Sequence, residues 1–112
     1  MPHQATVLHR AMLMAIALSG LAFGAQGAEV AVDQLDLQFV PTSVTINAGD
    51  SVRFTNSDRI AHNVTIVNPD GTAVDEGMDA YMVGIVVPFP KPGVYHVRCR
   101  IHPMMRMTVT VK

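Results

Sequence analysis

The sequence predicts an all-β fold, a Greek-key β-sandwich or barrel of about seven to eight short strands, on three observations. Through residues 29–112 apolar and polar side chains alternate with a period of two. Gly, Pro, Asn and Asp interrupt the alternation every eight to twelve positions, and no segment there sustains a 3.6-residue apolar period. A period of two puts alternate side chains on opposite faces of a strand, and short strands between such turn residues build an antiparallel sandwich.

The elements follow in order. Leu35, Leu37 and Phe39 alternate with Asp36 and Gln38. Val44 and Ile46 flank Thr45 before Asn47-Ala48-Gly49-Asp50 turns the chain, and Val52 and Phe54 alternate with Arg53 and Thr55. Val64 and Ile66 come next, stopped by Asn68-Pro69-Asp70-Gly71. Residues 72–81 are ambiguous, a loop or a short helical turn, with Asp75, Glu76 and Asp79 expected on a solvated face. Met82 to Val87 is a denser apolar run closed by Pro88, Pro90 and Pro92-Gly93. Val94 to Cys99 forms another strand, and Met107, Val109 and Val111 alternate to the end.

Residues 1–28 have a different character. His3, His9 and Arg10 make a weakly basic lead. An apolar run from Ala11 to Phe23 follows, then the small residues Gly24, Ala25, Gly27 and Ala28. That order is a secretory signal, with cleavage after Gly27 or Ala28, and the apolar run is shorter than the ~20 residues a spanning helix needs. The expectation is a cleaved signal peptide over 1–28, a single domain over 29–112, export to the periplasm and no membrane span in the mature protein.

Composition narrows function. Of 112 residues 49% are hydrophobic and 15% charged, which suits a globular core. The formal charge is -1; loss of residues 1–28 removes one of eight Lys/Arg and none of nine Asp/Glu, leaving -2. With no basic patch, no Trp and few aromatics, nothing marks a nucleic-acid partner. The single Cys99 is unusual for an exported chain, where cysteines normally pair; a lone one implies an intermolecular bridge, a reactive or buried thiol, or a metal ligand.

Its surroundings favour the metal. Cys99-Arg100-Ile101-His102-Pro103-Met104-Met105 sets thiolate, imidazole and thioether donors at Cys-x2-His-x2-Met spacing. His62 lies 37 positions earlier, at the start of a strand and after the polar loop 56–61. Two His, one Cys and a weak Met suit copper cycling between Cu(II) and Cu(I). Zinc fits poorly, because structural zinc prefers four Cys/His donors. A Cys99 nucleophile with His102 as base lacks an evident oxyanion site, so an enzyme is not expected. His96 is out of step with the ligand loop, Met107 is expected in the core and Met104 towards solvent. Met78 and Met82 suit gap-filling core or patch positions.

The stretch from Cys99 to Arg106 closely resembles the ligand loop of the type 1 blue copper proteins, or cupredoxins, and its spacing, with Pro after His, is most like amicyanin. Phe39-Val40-Pro41, Val44 to Val52, Phe54 to Val64 and Pro92 to Cys99 resemble other segments of that family. The resemblance implies one copper ion held by His62, Cys99 and His102, with Met105 as the weak axial ligand. It implies that Asn63 ties the two ligand loops together, its backbone N–H bonding to the Cys99 sulfur. Arg100 replaces the family's small hydroxyl residue after the cysteine, so no such partner for Asn63 is expected there. The implied function is one-electron transport. A quinone-cofactor dehydrogenase for amines or alcohols would be the donor, and a c-type cytochrome or a terminal reductase or oxidase the acceptor. Docking would be transient, through an apolar patch around His102, with the protein a monomer. A periplasmic copper storage or delivery protein is the alternative, favoured by Met104, Met105 and Met107.

Overall fold

The computed structural model describes residues 27–112, so all but the last two residues of the expected signal segment lie outside it. Nine strands follow in order: β1 (Glu29–Leu35), β2 (Gln38–Val40), β3 (Ser43–Ile46), β4 (Ser51–Asn56), β5 (His62–Val67), β6 (Ala73–Asp79), β7 (Gly84–Pro88), β8 (Gly93–Arg98) and β9 (Arg106–Val111). They form two sheets, β2-β1-β4-β7 and β3-β9-β8-β5-β6. The all-β expectation holds, as a sandwich of two separate sheets. Among the described residues no helix is long and apolar enough to cross a membrane.

The alternating residues meet between the sheets. Val32, Phe39, Val52 and Phe54 from one sheet and Val64, Val97 and Val109 from the other are fully buried. Phe39 meets Phe54 edge to face, ring centroids 6.0 Å apart, an arrangement that suits the ring quadrupoles.

Four features differ from the sequence expectation. Two strand pairs are parallel, β1 with β4 and β3 with β9, because the chain changes sheets between β2 and β3 and back before β4. Alternation reports which face is buried, not which way a neighbour runs. The run Leu35, Leu37, Phe39 is not one strand. Asp36 and Leu37 form a turn at φ 54° and 59°, and β1 pairs with β2 across it, Leu35 opposite Gln38. Two-residue hairpins with both central φ positive normally carry Asn-Gly or Asp-Gly, so Asp-Leu gives no turn signal.

Residues 73–79 are a strand at the edge of the five-stranded sheet, where charged side chains protect an unpaired edge. The register slips between Val64 opposite Gly77 and Thr65 opposite Asp75. Glu76 is the extra residue of the bulge, and Gly77 takes φ 113° beside it. Finally, Asp79 is not solvated: it is 0% exposed, opposite His62. Of the two positions open to Met78 and Met82, core or surface patch, both residues take the surface.

Candidate metal centre

The fold gathers the expected donors at one end of the sandwich. His62 opens β5, and Cys99 directly follows β8. His102 lies in the loop 99–105, and Met105 directly precedes β9. That loop closes on itself: the Met105 N–H donates to the His102 carbonyl at 2.9 Å, and the Cys99 N–H to the Met105 carbonyl at 3.2 Å. Met105 is thereby folded back beside the cysteine and fully buried, Met107 lies in the core and Met104 is 70% exposed.

His62, Cys99 and His102 each offer a donor atom within 4.8 Å of the others. The two Nδ1 atoms face each other at 3.1 Å, and Cys99 Sγ is 3.6 Å from His102 Nδ1. His62 and Cys99 are buried and His102 is half-buried. Two ring nitrogens at that distance must share a proton or a cation, and one thiol with two imidazoles is a donor set that fits copper. His96 lies elsewhere, exposed on β8 opposite Thr108 of β9.

The surroundings orient these donors. The Asn63 N–H points at Cys99 Sγ at 3.3 Å. Its side-chain Oδ1 accepts from the Arg100 N–H at 3.1 Å and from the Thr65 hydroxyl at 2.7 Å. Its Nδ2 donates to Asp75 Oδ1 at 2.8 Å and to the Gly77 carbonyl at 3.0 Å. Arg100 Nη1 in turn pairs with Asp75 Oδ2 at 3.1 Å. Arg100 therefore takes part in the tether after all, through its backbone, which any residue supplies, while the hydroxyl partner of Asn63 comes from Thr65. Gly77, then Asn63, donate to the Asp75 carboxylate and, with Arg100, hold it below its usual range despite the cost of burial.

Asp58 stands behind His62, with Oδ2 2.8 Å from His62 Nε2. Burial pushes the Asp58 carboxyl up. Hydrogen bonds from the Leu37 N–H, the His62 ring and the Asp36 N–H outweigh it, so the group ionises below the ordinary range. An ionised carboxylate only accepts, so a neutral ring that bonds to it does so through an Nε2 proton, the tautomer that leaves the Nδ1 lone pair to the site. Sequence reasoning missed Asp58, Thr65 and Asp75 as parts of this centre. A carboxylate four residues before a candidate histidine ligand was the one available signal.

A two-sheet sandwich with a histidine–cysteine–histidine cluster at one end defines the cupredoxin class. Comparison with known proteins agrees. Residues 26–112 match the model of the copper binding proteins of the plastocyanin/azurin family. Plastocyanin of Ulva prolifera is 33% identical over 93 residues, covering 71% of this chain and 92% of that protein. The methylamine utilization protein MauL of Methylophilus methylotrophus is 31% identical over 78 residues, 68% of this chain and 45% of that one. Among solved structures, amicyanin of Paracoccus versutus superposes with a TM-score of 0.70 at 28% identity, covering 75% of this chain and 81% of that chain. The chain belongs to the plastocyanin/azurin family of copper binding proteins, the electron-transfer cupredoxins.

Proposed function

We propose that this protein is an exported one-electron carrier, not an enzyme, in which His62, Cys99 and His102 hold a single copper ion with Met105 as the weak fourth ligand. The observation that carries this reading is the meeting of His62 Nδ1, His102 Nδ1 and Cys99 Sγ within 4.8 Å, with the Asn63 N–H directed at the sulfur. When bound, copper supplies a couple that stores or yields one electron. The chain's residues keep the two states close in geometry. Asn63 holds both ligand segments together, Asp58 fixes the His62 ring, and the buried Cys99 keeps water from the thiolate. His102, the half-buried donor, is the port for electrons. Ile101 and Met104 beside it are 49% and 70% exposed, a small apolar surface that suits brief docking rather than a stable complex.

The donor proposed is a dehydrogenase of amines or alcohols and the acceptor a c-type cytochrome or terminal reductase, met in the periplasm. The kinship with MauL, named for methylamine utilization, supports the amine side. Residues 1–28 act as the export signal. The burial of Met105 and Met107 counts against an open, methionine-rich delivery site.

The test is a visible spectrum of the purified, copper-loaded protein. An intense thiolate-to-Cu(II) band that bleaches reversibly with ascorbate and is absent in Cys99→Ser is the expected result. A colourless protein that binds Cu(I) alone would overturn electron carriage in favour of delivery.

A further inference from the structure

The turn between β1 and β2 lies outside the ligand loops, yet it acts on His62. Asp36 and Leu37 are consecutive residues at positive φ, a conformation that turns successive N–H groups towards a common point and favours an anion there. For leucine the left-handed region is unfavourable, so the surroundings must hold it. The two N–H groups converge on one carboxylate: Asp36 donates to Asp58 Oδ1 at 2.8 Å, and Leu37 to Asp58 Oδ2 at 3.0 Å. Asp58 is held from its own loop as well, its N–H donating to Asn56 Oδ1 at 2.8 Å. The same Oδ2 that accepts from Leu37 accepts from His62 Nε2. His62 is 0% exposed, so no water competes for that nitrogen.

We infer that Asp58, clamped by the Asp36–Leu37 turn, is the positioning residue of the centre: it fixes the His62 tautomer and biases the site towards the more highly charged metal state. The inference rests on copper binding as proposed above. Without the carboxylate the neutral ring is free to move its proton to Nδ1, which blocks the donor atom facing His102. A fixed negative charge behind a ligand also stabilises Cu(II) more than Cu(I), because the interaction scales with the charge on the ion. The clamp supplies what an isolated loop aspartate lacks, a fixed position, and it makes His62 the rigid histidine of the pair and His102 the free one.

Two measurements test this. In the metal-free protein, nitrogen NMR of the imidazoles should show His62 with its proton on Nε2, a preference lost in Asp58→Ala and restored in Asp58→Glu. A proton on Nδ1 in the unsubstituted protein would overturn the inference whether or not copper binds. In the loaded protein, Asp58→Ala and Asp58→Asn should lower Cu(II) affinity about 10–100-fold and Cu(I) affinity less, so the reduction potential rises. Equal loss of both affinities, or an unchanged potential, would leave Asp58 a purely structural residue and sink the proposal. Failure of the unsubstituted protein to take up copper would instead remove the carrier reading, and the tautomer measurement would still decide the role of Asp58.

Discussion

Asn63 and Cys99, 36 residues apart, are joined by a hydrogen bond from the backbone N–H of one to the sulfur of the other at 3.3 Å. Because the bond comes from the backbone of β5, residue identity at 63 does not decide whether it exists. The side chain decides whether β5 and the ligand loop stay in place around it, through four hydrogen bonds to Arg100, Thr65, Asp75 and Gly77. One neutral residue thus connects the strand carrying His62, the bulged edge strand and the loop carrying His102.

Replacing Asn63 by Ala should therefore cost stability before it costs colour. The Arg100 N–H, the Thr65 hydroxyl and the Gly77 carbonyl lose their partner at a site 2% exposed, and orphaned polar groups cost about 1–3 kcal/mol. Chemical unfolding of the metal-free protein should show that loss. The loaded variant should still show a thiolate-to-Cu(II) band but release copper faster. Unaltered stability would mean that the side-chain bonds contribute nothing.

Arg100 should behave differently. Its guanidinium pair with Asp75 is exposed, the two side chains at 66% and 45%, and exposed pairs contribute about 0–1 kcal/mol. Its N–H, by contrast, is independent of the side chain. Arg100→Ser should leave both the unfolding midpoint and the reduction potential nearly unchanged. A large shift in either would show that the ion pair, rather than the backbone, secures the loop.

How much of this was legible in the sequence depends on the range of each signal. Cys99, His102 and Met105 share one loop, so their spacing is local, and His62 stands out as a histidine at a strand start. The residues that orient them are ordinary polar ones at ordinary places. Asp58 sits in a polar loop, Thr65 is one of several strand threonines, and Asp75 belongs to an acidic run. Their roles arise from pairing across strands, which depends on the bulge at Glu76 and the turn at Asp36-Leu37. Neither leaves a trace in hydropathy, since a leucine at positive φ looks like any strand leucine. Asp79 was misplaced for a related reason: charge argues for solvent, but its register opposite His62 at the edge of the site buries it.

The two methionines of the loop can be separated by potential. Met105 is fully buried and Met104 is 70% exposed. Met105→Leu conserves volume and should cost less than about 1.5 kcal/mol. It should keep the visible band and raise the potential, because the axial donor tunes this quantity. Met104→Leu should change neither. If the pattern is reversed, Met104 is the axial donor and the loop rearranges around the metal; if neither potential moves, no thioether binds.

Asp79 yields the clearest pH prediction. Its Oδ2 accepts from Gln34 Nε2, while Oδ1 and Gln34 Oε1 are both buried with no hydrogen-bond partner. Two buried acceptors thus go without a donor, and a proton on the carboxyl would remove the buried charge and add one. Burial pushes the Asp79 carboxyl up, against the opposing pull of Gln34 and His62. A raised native pKa means the folded protein holds this proton more tightly than the unfolded chain. The stabilisation is thus fully present below the ordinary aspartate value of about 3.9 and is lost as pH rises through the raised native value. Asp79→Asn keeps an acceptor for Gln34 Nε2 and puts a neutral amide in place of the buried carboxylate at every pH. At neutral pH the variant should be more stable than the unsubstituted protein, by about 1–3 kcal/mol if one orphaned group is relieved, and the gap should close on acidification. Unfolding of metal-free samples across pH 4–8 measures it (the range follows from the about 3.9 reference). A variant less stable than the parent at neutral pH would show instead that the ionised carboxylate is what this end of the sandwich requires.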